Sequence, residues 1–237
     1  MPVKLPGPTD RLYIIGRTGS GKTTAALFHL SRKNFDNQPW VIVNTKGDSN
    51  INRLLEIEQI KQIGVNETPG ESGLYHVRPH PDDEAAELNA FFGRIWEKTN
   101  CGVLVDEGYM IQEDDKLNAL LTQGRDRKIP MIVLTQRPTW ITKFVESEAD
   151  YVQLFNLSRL DDRKNVTGLV PVDRNYRLAR HCSYWYNVAD NELAQFAPCP
   201  DNAAIFETFR AKFPPDDALE EPELEPVEEQ RPRKRVI

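Results

Sequence analysis

Short apolar runs alternate with segments of helical periodicity along this 237-residue chain, a pattern that predicts parallel βαβ units. The expected strands are residues 12–15, Trp40–Asn44, Gly102–Asp106, Met131–Thr135 and 151–156. Between them, residues 82–98 read as a helix. Pro81 and two Asp residues mark its start, and Leu88, Phe91, Phe92, Ile95 and Trp96 line up as one apolar stripe suited to core packing. Residues 57–80 carry weaker signals, with short strands expected at 62–65 and 74–78. The aromatic cluster SYWYNV, within 174–198, reads as an additional strand near the end of the fold, and no internal repeat is visible.

Composition adds a boundary. With 39% hydrophobic and 28% charged residues, the chain can bury one sizeable core, and one domain over 1–213 is expected. Residues 214–237 hold eight acids and four bases, a balance of −4 that leaves only −2 for the rest of a chain whose total is −6. This Pro- and Glu-rich stretch has too few large apolar groups to offset its ordering entropy, so a disordered, charged tail is expected. Nothing in the overall charge marks a nucleic-acid binder, and any grip on DNA would have to be a local patch. The three scattered cysteines, Cys101, Cys182 and Cys199, suggest neither a disulfide framework nor a zinc cage. An N-terminus carrying prolines where a signal peptide needs an apolar run, and the lack of a membrane-length apolar stretch, predict a soluble, unexported chain in the cytoplasm.

The chemistry begins at GRTGSGKTT, between the first strand and an apolar helix. Gly16, Gly21, Lys22 and Thr23 match G-x-x-x-x-G-K-[ST] in the strand-loop-helix setting that the pattern requires. Glycines let successive backbone N–H groups turn inward, and the helix N-terminus adds partial positive charge. Residues Gly16, Arg17, Thr18, Gly19, Ser20, Gly21, Lys22, Thr23 and Thr24 are therefore expected to cradle the phosphates of ATP. Lys22 would reach the β- and γ-phosphates, and the Thr23 hydroxyl would serve Mg²⁺.

Two later strands end in polar residues. CGVLVDEGYM places Asp106 and Glu107 at the C-terminal end of a buried strand, where α/β sheets hold ligands. Asp106 is expected to hold the magnesium through its water shell, and Glu107 to take a proton from the attacking water. IPMIVLTQRP is a further apolar strand, ending in Thr135 and Gln136, and the Gln136 amide is placed to contact the γ-phosphate and the lytic water. Together these segments outline an ATPase.

In that order, GRTGSGKT, VLVDE and IVLTQRP resemble the FtsK/HerA superfamily of P-loop motor ATPases, and NTKGD at 44–48 resembles that family's loop after the second strand. The resemblance implies an α/β, RecA-like P-loop core of the additional-strand, catalytic-glutamate type, with a mostly parallel central sheet flanked by helices. It also implies a homo-oligomeric ring, typically a hexamer, that moves double-stranded DNA through its centre. Within GRDRKIPMIVLTQRPTWI, Arg125 matches the family's arginine finger, which reaches the neighbouring subunit's nucleotide, ahead of Arg127 and Arg163. Asn44 stands where the family often has an acid, which leaves that loop's role open. A core of this size most resembles the genome-packaging ATPases of tailless, membrane-containing viruses. That resemblance implies double-stranded DNA and capsid vertex proteins as partners, and a place in the host cytoplasm or at the packaging vertex.

Lys46 with Ser49 and Asn50, or Trp140 with Lys143, are candidates for touching DNA, against ordinary packing for Trp140 and Lys143. His76 and His80 match no zinc spacing, and Tyr184, Trp185 and Tyr186 read as core or interface aromatics. A DNA-independent assembly or secretion ATPase and a nucleotide kinase stay open as alternatives. Subunit number, direction of transport and the choice between packaging and chromosome or plasmid movement lie beyond the sequence.

Overall fold

The apolar runs become strands because both of their faces are covered. In the computed structural model, which describes residues 3–80, 85–111 and 115–215, every residue of β1 (Arg11–Ile15), β2 (Trp40–Asn44), β5 (Gly102–Asp106), β6 (Met131–Thr135) and β7 (Tyr151–Leu154) is buried. With β3 (Lys61–Ile63), β4 (Leu74–Val77), β8 (Ser183–Asn187) and β9 (Glu192–Phe196) they form one nine-stranded sheet in the order β3-β4-β2-β5-β6-β1-β7-β8-β9. Pairing is parallel from β3 through β7 and antiparallel from β7 to β8 and from β8 to β9. The RecA-like α/β core expected from the sequence is therefore present, and β6 lies beside β1.

Alternate residues of each strand feed opposite layers. On one face Tyr13, Ile15, Val43, Val105 and Val133 pack against α3 (Ala85–Lys98) and α4 (Asp115–Gln123) through Phe91, Phe92, Ile95, Leu117 and Leu120. On the other, Leu12, Ile14, Ile42, Leu104 and Leu134 meet α1 (Lys22–Ser31) and α7 (Asn202–Lys212) through Ala25, Leu30, Ile205, Phe206 and Phe209. The shorter helices α2 (Ser49–Asn52), α5 (Lys143–Ser147) and α6 (Leu160–Val166) lie in connections. The expected helix over 82–98 appears as α3 from Ala85, and its residues 82–84 lie outside the described residues.

SYWYNV supplies β8, where Trp185 is sandwiched: its ring centroid is 5.2 Å from that of Phe196 and 5.3 Å from that of Tyr151. Two elements carried no usable signal. β9 is an edge strand with no buried residue, and α7 contributes only three buried side chains to the core. The tail expected at 214–237 lies outside the described residues from 216 onward. No helix among the described residues is long and apolar enough to cross a membrane.

Two features of the core carry tests. Gly102 pairs with Trp40, and a methyl group there would lie 2.2 Å from the indole Cε2. Gly102→Ala is expected to destabilise the fold by about 1–3 kcal/mol through overpacking, read by urea unfolding. His29, buried on α1, donates through Nε2 to Gln153 Oε1 at 3.0 Å, and Gln153 in turn donates to Ser183 Oγ at 2.9 Å. Burial pushes its imidazole from 6.5 down to about 4, with Lys33 and Arg32 adding in the same direction against the Gln153 hydrogen bond. Between those pH values the unfolded chain binds a proton that the folded chain refuses, so stability present at neutral pH is lost as pH falls. The expected loss from His29 is about 3 kcal/mol by pH 4, and urea titrations at pH 7, 5.5 and 4.5 should show a shallower decline in His29→Asn.

Candidate nucleotide site

The strand β1 ends buried at Ile15, and the chain must then leave the sheet and start α1 within six residues. Backbone bonds to both flanking strands hold this turn: Gly16 N–H donates to Thr135 O at the end of β6, and Arg17 N–H donates to Asn156 O after β7, each at 3.1 Å. Gly19 and Gly21 have φ of 72° and 102°, left-handed backbone that a side chain would strain, and Gly21 caps α1 with no side-chain acceptor of its own. The first N–H groups of α1 are thus left facing the loop, as an anion site needs. Arg17, Thr18 and Gly19 are exposed on the rim, whereas Ser20 and Lys22 are buried. Thr24 Oγ1 donates to Asn202 Oδ1 at 2.9 Å, which fastens α1 to α7.

Lys22 and Glu107 meet at the centre. Lys22 Nζ lies 2.7 Å from Glu107 Oε1, an ion pair without the alignment of a hydrogen bond, and Lys46 Nζ approaches the same oxygen at 3.8 Å. Glu107 has a left-handed backbone, φ 53° and ψ 58°, a conformation costing a non-glycine residue about 1–2 kcal/mol. The surroundings hold it there: Gln136 N–H donates to Glu107 Oε2 at 3.1 Å, and the side chain is fully buried. Gln136 leans the other way with its amide, accepting from Thr18 Oγ1 at 2.5 Å. The DE strand, the TQ strand and the loop therefore converge on one cradle.

Asp106 stands beside them, almost fully buried, with Oδ2 lacking any hydrogen-bond partner. Burial first, then the charge of Glu107, pushes its carboxyl up from 3.8 to about 7, against the pull of Lys22. A buried carboxylate oxygen aimed at no donor fits a cation, and Thr23 supplies a half-buried hydroxyl in the first turn of α1. Thr23 also faces Asp48 Oδ2 at 3.5 Å, a carboxylate in NTKGD that sequence reasoning had not assigned. Asn44 shapes that loop: its Oδ1 accepts from Asp48 N–H at 2.9 Å, and its Nδ2 donates to Asn52 Oδ1 at 2.9 Å and to His76 Nε2 at 3.2 Å. An amide can serve donors and acceptors at once, which an acid at this position could not. Among the described residues no group of three or more His, Cys, Asp and Glu side chains converges on one point. That is compatible with magnesium, which takes few protein ligands and keeps waters and phosphate oxygens.

Other sequence-predicted residues lie elsewhere. Arg125 follows α4 at the N-terminal edge of β6, the opposite end of the sheet from its own P-loop, and is half exposed in an ion pair with Asp150. Arg127 is stacked over Trp96 at 4.0 Å and donates to the Trp96 carbonyl, and Arg163 donates to Leu157 O. Asn50 accepts from Asn202 Nδ2 at 2.9 Å, so its carbonyl is spent on packing α2 against α7. Trp140 is 61% exposed with the Arg137 guanidinium 3.9 Å from its ring centroid, and Lys143 is exposed. Tyr176, Asn156, Arg180 and His181, which also touch the loop or its supports, gave no sequence signal at all.

A mostly parallel sheet with a P-loop after a central strand, a glutamine at the end of the neighbouring strand β6 and an acid pair at the end of β5 one strand further on, defines a P-loop nucleoside triphosphatase. The chain is 40% identical over 220 residues to DNA packaging ATPase P9 of Enterobacteria phage PRD1, covering 88% of this chain and 96% of that one. It belongs to that family of viral DNA-packaging ATPases, within the FtsK/HerA-type P-loop ATPases that its motifs resemble. Its fold is shared by the genome-packaging NTPase B204 of Sulfolobus turreted icosahedral virus 2, solved with AMPPCP: TM-score 0.66, 14% identity, 82% of this chain and 100% of that one. It is shared also by VirB4 of Thermoanaerobacter pseudethanolicus, with TM-score 0.61, 10% identity, and coverage of 84% and 92%. No protein-family model matches the chain.

Proposed function

We propose that this chain hydrolyses magnesium-bound ATP at the cradle of residues 16–24 and uses the energy to drive double-stranded DNA into a preformed viral capsid. The observation that carries the reading is the meeting of Lys22, Glu107 and Gln136 around one phosphate-sized loop, in a chain from the DNA-packaging ATPase family. The loop N–H groups and Lys22 bind the triphosphate. Asp106 and Thr23 would hold Mg²⁺, which would supply positive charge against the negative charge that develops on the transferring group. Glu107 accepts the proton of the attacking water, and Gln136 positions that water and touches the terminal phosphate. Before ATP arrives, Glu107 neutralises Lys22; the incoming phosphates compete for that ammonium and release the carboxylate for its role as base.

Arg125 completes the site of a neighbouring copy, which makes turnover depend on a ring of six subunits. The ring docks at the packaging vertex from the host cytoplasm. DNA passes by backbone contact without sequence preference, since each subunit's few contacts are multiplied by the ring. The test measures ATP turnover of one purified sample with and without long duplex DNA while recording particle mass. Stimulation by DNA in a ring-sized particle supports the motor. Equal hydrolysis without DNA assigns the chain to a DNA-independent assembly or secretion machine with the same core.

A further inference from the structure

We propose that Arg180, oriented by His181, is the base-side contact of the nucleotide, holding the purine nucleoside of ATP where it leaves the phosphate cradle. The inference rests on the reading of residues 16–24 as an ATP site. Lys22, Glu107 and Gln136 all lie toward β5 and β6, so the terminal phosphate points to that flank of β1. The nucleoside end must then emerge on the other flank, toward β7 and β8. The segment 173–182 stands there and is fastened at three places, two on the chain that follows β7 and one on the cradle itself. Tyr176 Oη donates to Phe155 O at 2.8 Å. Asn156, whose carbonyl accepts from Arg17 N–H, exchanges two hydrogen bonds with the backbone of Leu178, at 2.8 and 3.0 Å. His181 Nδ1 reaches Ser20 O at 3.2 Å, and a methyl placed on Gly21 would lie 3.3 Å from that nitrogen.

The hydrogen bonds decide the tautomer of His181. A carbonyl only accepts, so Nδ1 carries the proton and donates to Ser20 O, which leaves Nε2 as an acceptor. Arg180 Nε donates to it at 3.1 Å. An imidazole in this state orients the guanidinium beside the loop while the rest of the Arg180 side chain remains exposed. His181 adopts φ 61°, a left-handed conformation that a histidine takes at some cost and that brings its ring onto the loop. A planar, permanently charged guanidinium stacks on aromatic rings and donates to ribose oxygens, the chemistry a purine nucleoside offers. Arg180 therefore supplies nucleoside affinity, and His181 is a positioning residue acting through it.

The test is calorimetric titration of the full chain with magnesium complexes of ADP, a non-hydrolysable ATP analogue and inorganic tripolyphosphate. For Arg180→Ala the expected result is about a tenfold loss of affinity for both nucleotides, with tripolyphosphate binding within about twofold of wild type and KM raised while kcat holds. His181→Asn keeps a donor for Ser20 O at a φ that asparagine tolerates but is too short to place an acceptor where Nε2 meets Arg180, so it should reproduce the same split without loosening the loop. Nucleotide affinities that do not change in either variant overturn the assignment. So does an equal loss for tripolyphosphate, which would make the segment a brace for the phosphate loop. A wild-type chain that binds neither nucleotide nor tripolyphosphate overturns the ATP site itself.

Discussion

Glu107→Gln is expected to lower ATP turnover by about two to four orders of magnitude while ATP stays bound, the range that general-base catalysis supplies. The substitution removes a charge and almost no volume, and an amide oxygen can still accept from Gln136 N–H as Glu107 Oε2 does at 3.1 Å. What it removes is the proton acceptor and the counter-charge to Lys22, 2.7 Å away in a site that excludes solvent. Lys22 is then no longer neutralised before nucleotide arrives, so the variant should bind ATP at least as tightly as the parent chain. Single-turnover hydrolysis alongside equilibrium binding reads both effects. Undiminished turnover would strip Glu107 of its role as base, and lost binding would make it a structural partner of Lys22.

Arg125→Ala is expected to leave nucleotide binding within about twofold and to lower turnover of the assembled ring by roughly three to five orders of magnitude, the scale measured for fingers supplied in trans. The geometry explains why the two effects separate. Arg125 sits at the far edge of the sheet from its own P-loop, half exposed and paired with Asp150, whose other carboxylate oxygen accepts from Arg11 N–H at 2.8 Å. A surface ion pair of this kind holds a guanidinium loosely, so a neighbour's triphosphate can draw it away. Mixed assemblies provide the sharper measurement. Combined in one ring, subunits carrying Glu107→Gln and subunits carrying Arg125→Ala should recover turnover at those seams where an intact finger meets an intact base. Full-rate hydrolysis by isolated monomers would remove Arg125 from the mechanism.

The chain's local order made much of this legible. Strands covered on both faces must be apolar throughout, so LYII, WVIVN, VLVD and MIVLT announced themselves by composition, and the glycines of GRTGSGKTT by the backbone shapes that a tight strand-to-helix turn demands. The carboxylates Asp106 and Glu107 and the amide of Gln136 were recognisable because each ends such a run, and a strand end is where a sheet presents chemistry. β9 and α7 were not, since an edge strand half in water and a helix with three buried residues need little apolar pattern.

By itself, then, the order of residues determined the class of fold, the glycine-rich turn after β1 and the polar residues at the ends of β5 and β6, because each follows from rules acting over one turn or one strand. Tertiary structure alone decided that Glu107 rests on Lys22, that Asp48 faces Thr23, that Arg125 lies at the opposite end of the sheet from its own P-loop, and that His181 reaches the loop at Ser20. Those pairs are brought together only by strand order, across separations as long as the 161 positions between Ser20 and His181. No local periodicity carries that information, since the crossover connections that set the order bury their evidence in the packing of the whole sheet.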